Sequence, residues 1–288
     1  MASISFKAGG AELFVPDGKS LPDALSRTTH LGLCAHQDDL EFMAYHGILE
    51  CFGHPNGQWF TGVTVTNGAG SARDAHYKDY SDERMMEVRK LEQKKAAMIG
   101  EYAAHFLLNF PSGAVKDAKN ADVAADLDQV LAQTRPRVVY THNFQDKHDT
   151  HVAVALRVIA AIRRMPKADR PQRVIGCEVW RSLDWLCDKD KVVMPVDDHE
   201  NLADALMGVF DSQICGGKRY DLATRGRRLA NATYFESHAV DKHKALAWGM
   251  DLTPLVLDDK LDPFELTQAH IQRFSDEVKD RVKRMGTA

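Results

Sequence analysis

Short apolar runs alternate with helix-length amphipathic stretches, and this alternation limits the folds open to the chain more than any other feature. Leu31-Gly32-Leu33-Cys34-Ala35 is a brief apolar run before a charged turn and reads as a buried strand. Trp59 to Thr66 is rich in β-branched and aromatic residues and stops at Asn67-Gly68-Ala69-Gly70, a strand ending in a glycine loop. Glu83 to Gly100 carries apolar residues between charges and ends at a glycine, as an amphipathic helix does. His105 to Leu108, Arg137 to Tyr140 and Val174 to Arg181 continue the strands. Ala121 to Thr134 and Val152 to Arg164 supply the intervening helices. Strands separated by helices predict an α/β chain with a Rossmann-like, mostly parallel sheet flanked by helices on both faces.

Beyond about Asp188 the alternation fades into a C-terminal extension. Asn201 to Phe210 and Phe264 to Lys283 read as helices, and the Gly- and Arg-rich stretch Gly216 to Arg228 reads as a loop. No repeat or linker divides the chain. The expectation is one domain over residues 1–288, with a core of about 28–187 and a part of about 188–288 completing a substrate pocket.

The 288 residues carry a net charge of −4 and are 44% apolar, ordinary values for a globular protein. Without a basic run, nucleic acid and anionic membrane are not expected as partners. No apolar stretch approaches the ~20 residues that span a bilayer. Met1 to Gly10 lacks the basic start and apolar core of a secretory signal, so a cytoplasmic location is expected. Five scattered cysteines with no CxxC pair fit a reducing compartment.

Two segments carry chemistry. Ala35-His36-Gln37-Asp38-Asp39-Leu40-Glu41 follows a predicted strand and so lies at the carboxyl end of the sheet, where open α/β folds place their sites. His36 and Asp39 suit zinc, which accepts nitrogen and oxygen donors, and Asp38 is free to act as a general base. Taken alone, the Asp38-Asp39 pair also suits a helix N-terminus. The second segment, Thr141-His142-Asn143-Phe144-Gln145-Asp146-Lys147-His148-Asp149-Thr150-His151, follows the Arg137 to Tyr140 strand and enters a helix. His148 and His151 share a face in a first helical turn, so that one binds metal and the other stands beside it. An isolated HxxH is more commonly a surface pair. Its occurrence with the first segment, each after a strand, points to three protein ligands and an open position, the pattern of a catalytic zinc.

These segments resemble the LmbE-like, or PIG-L, deacetylase family. Its A-H-P/A-D-D-x-E signature stands here as Ala35 to Glu41, and its H-P-D-H as His148-Asp149-Thr150-His151. Thr64 to Gly70 is similar to its T-x-G-x-x-G stretch, Arg89 to Gly100 to its R-x-x-E helix, and Ser212-Gln213 to its late S-Q. The resemblance implies a zinc-dependent N-deacetylase. His36, Asp39 and His151 match the metal ligands, Asp38 the general base, and His148 the histidine that assists the oxyanion or leaving amine. Arg89 matches a substrate-contacting arginine, and Tyr234, Glu236 and His238 fall where the family has a pocket-side Y-A-E stretch. The implied substrate is a small N-acetylated amino sugar or sugar conjugate, and a homo-oligomer is in keeping with the family.

Gln37 stands for the usual proline or alanine, and Met43-Ala44-Tyr45-His46 for a stretch of small residues. Thr150 replaces the acid that orients the assisting histidine, a task that falls to Asp146 or Asp149. Trp180 and Trp185 are candidates for a sugar-stacking wall. Iron or another divalent metal also suits these ligands. A zinc amidase or esterase on a non-sugar substrate, or a silent carbohydrate-binding relative, shares most of this pattern.

Overall fold

The computed structural model describes residues 4–286. Eight strands form one sheet: β1 (Glu12–Phe14), β2 (His30–Cys34), β3 (Phe60–Thr66), β4 (Ala104–Phe110), β5 (Val138–His142), β6 (Arg173–Cys177), β7 (Lys191–Pro195) and β8 (Leu246–Asp251). Their spatial order is β1-β4-β3-β2-β5-β6-β8-β7. The five strands from β4 to β6 run parallel. β2 and β3 are buried at every residue, as strands covered on both faces must be, and this is why they read as unbroken apolar runs.

The helices Ala121–Thr134 and Asp149–Arg164 cover one face, where Val123, Leu127, Val154 and Val158 pack on Leu31, Leu33 and Val139. Tyr45–Cys51 and Asp82–Ile99 cover the other with Ile48, Ala96 and Ala97 around Phe60 and Tyr140. Helix starts are marked chemically. Ser81 accepts from the Arg84 N–H, and Asn120 from the N–H groups of Asp122 and Val123.

The C-terminal part differs from expectation in two ways. β8 and β7 extend the sheet in antiparallel fashion beyond β6, which stops at Cys177. The predicted Gly216 to Arg228 loop is largely helical, within Tyr220–Tyr234. That helix buries Arg228, Asn231 and Ala232, so its inward face lacks the apolar period by which a helix is recognised. Among the described residues, no helix is long and apolar enough to cross a membrane.

Candidate active site

β2 and β5 lie side by side and parallel, yet β2 is followed by β3 on one flank and β5 by β6 on the other. The reversal opens a crevice at the strands' carboxyl ends. The turn after β2 and the segment after β5 fill it.

The first turn closes on itself: the His36 N–H donates to Asp39 Oδ2 at 2.7 Å, and the Asp39 N–H to the His36 carbonyl at 3.4 Å. Asp38 takes φ +100°, a conformation a non-glycine residue holds only when its surroundings enforce it. It stands just before the helix Asp39–Met43, but its side chain makes no capping bond and turns instead to Arg89.

Three donor atoms converge. His36 Nδ1 is 3.1 Å from Asp39 Oδ2 and 3.1 Å from His151 Nε2, and His151 Nε2 is 3.4 Å from Asp39 Oδ2. Tetrahedral zinc with ligand bonds of ~2.0–2.1 Å places its donors roughly 3.3–3.4 Å apart, so this triangle has the size such an ion needs. Protonation fits as well. Burial pushes His151 down to about 4, leaving the neutral ring that a metal requires.

The remaining groups hold the triangle in place. Asp146 Oδ2 lies 3.2 Å from His151 Nδ1, while its Oδ1 accepts the His148 N–H at 3.0 Å. Asp146 therefore orients His151, and it reaches only the backbone of His148, whose Nδ1 has no protein partner. His142, which the sequence offered only as the end of a strand, stacks on His151 with ring centres 3.9 Å apart. Its Nε2 accepts the Ala35 N–H at 2.9 Å, so it is tied to the backbone of the first turn.

Arg89 Nη2 donates to Asp38 Oδ2 at 2.9 Å and also to the Gln37 carbonyl, and Nη1 to Glu92 at 3.3 Å. Glu92 accepts from both the backbone and the hydroxyl of Ser212 at 2.7 Å. The Asp38 N–H donates to Gln93 Oε1, and Gln93 and Tyr102 donate to Glu41, whose carboxyl burial pushes up to about 8. Burial also raises Asp38, against the opposing pull of Arg89.

The open side of the triangle faces a cavity of about 390 Å³ lined by the loop from Thr66 to Ala72, His148, Trp180, Lys218 and Tyr220. Gly68 in that loop has φ +77°, and a Cβ there would stand 2.6 Å from Gln37 Oε1. Gln37 in turn donates to the Thr66 carbonyl, bracing the two loops together.

Residues 31–162 match the PIG-L family, described as GlcNAc-PI de-N-acetylase. No curated protein matches the chain. Among solved structures it is similar to a conserved protein of Thermus thermophilus (19% identical, 81% of this chain and 98% of that one covered, TM-score 0.59). N,N'-diacetylchitobiose deacetylase of Pyrococcus horikoshii is 13% identical over 84% of this chain and 90% of its own, TM-score 0.61. 4-Carboxy-2-hydroxymuconate hydratase of Pseudomonas putida is 14% identical over 78% and 95%, TM-score 0.59. These likenesses place the chain in one fold with both deacetylases and a hydratase.

The PIG-L segment supplies His36, Asp38, Asp39, His148 and His151, and the structure brings all five to one crevice. Arg89 is 1% exposed and bonds to Asp38, Glu92 and the Gln37 carbonyl, with only its Nε unpartnered, so it holds Asp38 from the cavity wall. Tyr234, Glu236 and His238 are exposed and line no part of the cavity. The helix Tyr220–Tyr234 explains this correction: at ~1.5 Å per residue it carries its far end about 21 Å from Tyr220, the residue of it that lines the cavity. The C-terminal part reaches the PIG-L crevice through Gln213, Lys218 and Tyr220. Trp180 also lines the cavity, whereas Trp185 packs on the core.

Proposed function

We propose that this chain is a metal-dependent N-deacetylase acting on an N-acetylated amino sugar or sugar conjugate. The observation that carries the reading is the His36–Asp39–His151 triangle, with donor separations of 3.1, 3.1 and 3.4 Å, set beside the arginine-held carboxylate of Asp38. A divalent cation held there, zinc by donor type and spacing, supplies Lewis-acid chemistry, polarising an amide carbonyl and acidifying water near neutral pH.

The chain's own groups do the rest. Asp38 takes a proton from the attacking water at its carboxylate and returns one to the departing amine. Arg89 keeps that carboxylate pointed at the crevice and Asp39 apart from it. His148, whose pKa burial and the neighbouring His36 lower, is neutral at pH 7 and donates one ring N–H toward the developing oxyanion. Water is consumed, the amide C–N bond breaks, and acetate and a free amine leave. Trp180 and Tyr220, whose rings meet edge to face, give an aromatic corner against which a sugar ring packs. All five cysteines are unpaired, in keeping with a reducing cytoplasm.

The test pairs elemental analysis with acetate release from N-acetylated amino sugars. About one zinc per chain, lost in His151→Ala, together with acetate formation that falls by about 10²–10⁴ in Asp38→Asn, upholds the proposal. A wild type that binds no metal after reconstitution overturns it. The hydratase of the same fold supports a second reading, water addition to a carbon–carbon double bond. In that case no acetate forms.

A further inference from the structure

A second chamber of about 250 Å³ adjoins the catalytic cavity. The two share Phe42, Val179, Trp180, Lys218 and Tyr220 as a common wall. Around Tyr220 the chamber is also lined by Met43, Ala223, Ala247, Arg227 and Arg228.

Its charge is opposite to that of the chain. The protein carries −4 overall, yet the chamber walls hold Lys218, Arg219, Arg227 and Arg228 against one acid, Glu178. Glu178 is already engaged, accepting from the Leu183 and Trp248 N–H groups and from Asn231. Arg219 is paired with Asp221. Lys218, Arg227 and Arg228 form no ion pair among the described residues. Arg227 donates to the Val179 carbonyl, and Arg228 Nη2 to the carbonyls of Glu41 and Phe42. Arg228 is 6% exposed and its Nε has no partner. A buried guanidinium held by two carbonyl oxygens and the Tyr45 ring, 4.7 Å away, with no carboxylate bonded to it, is costly unless an anion reaches it.

The apolar walls matter too. Lys218 Nζ lies 5.1 Å from the Trp180 ring centre and Lys147 Nζ 5.8 Å from it, and the Phe42 and Tyr220 rings are 5.1 Å apart. An aromatic wall beside cations that form no ion pair favours an apolar body that carries an oxyanion.

We propose that this chamber binds an oxyanionic group of the substrate, a carboxylate or a phosphate, on the part of the molecule that is not transferred, with Arg227, Arg228 and Lys218 as its contacts. This narrows the deacetylase reading to anionic N-acetyl compounds. Its binding component stands even if the reaction is another.

Two measurements test it on the metal-loaded full-length protein. The first compares kcat/KM for N-acetylglucosamine, its 6-phosphate and N-acetylmuramate. A preference of tenfold or more for at least one of the charged compounds supports the chamber, and which of them is preferred separates phosphate from carboxylate. In Arg227→Gln the KM for the favoured compound rises about tenfold or more with kcat little changed, whereas Arg225→Gln, on the same helix outside the chamber, retains the preference. Equal kcat/KM for neutral and charged compounds, or a preference that survives in the Arg227→Gln/Lys218→Gln double variant, overturns the proposal and leaves the deacetylase reading in place. The second measurement is quenching of tryptophan fluorescence by phenylacetate against its neutral amide, with Trp180→Phe to assign the signal. Saturable quenching by the acid alone supports the chamber even where no acetate is formed. Identical curves for acid and amide count against it.

Discussion

The carboxylate of Asp38 and the guanidinium of Arg89 meet at 2.9 Å with both side chains at most 6% exposed. An ion pair this deep is sensitive to the loss of either partner, because the survivor keeps its charge without compensation. Arg89 also lowers the proton affinity that burial gives Asp38. Replacing Arg89 by Met therefore raises the Asp38 pKa, and the acid limb of the kcat/KM profile moves to higher pH. Activity falls more at pH 7 than at pH 9. Arg89→Lys, which retains the charge but not the fork, shifts the limb less. An acid limb that stays in place in Arg89→Met would remove Asp38 from the role of base.

Asp146 acts through His151. Substituting Asn leaves an oxygen for the His148 N–H but weakens the hold on His151 Nδ1. The metal dissociation constant is expected to rise about 10–100-fold, read by competition with a chromophoric chelator. Unchanged affinity would show that His151 is not a ligand.

Three histidines outside the His36–Asp39–His151 triangle make the fold acid-sensitive. Burial pushes His30 and His46 down to about 4 and His105 to about 3. Each binds a proton more readily when unfolded, near 6.5, than when folded. Stability from these groups is complete above about pH 6.5 and is lost as pH falls from there toward 4. Between pH 7 and pH 5 the loss is about 2 kcal/mol per histidine. Urea titrations at pH 7, 6 and 5 measure it, and His105→Gln should flatten the dependence. A midpoint independent of pH over that range would contradict the assignment.

Gly68 is bound to its place by both backbone and neighbour, with φ +77° and Gln37 Oε1 where a Cβ would sit. Gly68→Ala is expected to cost about 1–2 kcal/mol of stability from the left-handed conformation alone. It should also lower kcat/KM, because the same loop lines the cavity. A simultaneous Gln37→Ala change relieves the steric part only. Full stability in the single variant would mean that the loop is free to rearrange.

The parallel core and the five crevice residues were legible in the sequence for a shared reason. Central strands buried on both faces are apolar along their length, and each functional turn follows directly from one of them. Direction was not legible. Arg89 has the chemistry of a substrate contact, and only packing shows that its guanidinium points at Asp38. His142 reads as a strand residue until β5 is set beside β2, where it meets Ala35 and His151. The helix Tyr220–Tyr234 was hidden because arginine and asparagine occupy its inner face. A loop in its place would leave the exposed far end free to fold back on the pocket, whereas the helix carries that end away and leaves Lys218 and Tyr220 there.

The two sides of the cavity differ in how they are anchored. One side is fixed to neighbouring strands of the central sheet, where a displaced residue disturbs the core itself. The other includes Lys218 and Tyr220, at the start of a single peripheral helix. Substitutions around 218–228 are therefore expected to alter which compounds enter the cavity while leaving the His36–Asp39–His151 triangle in place.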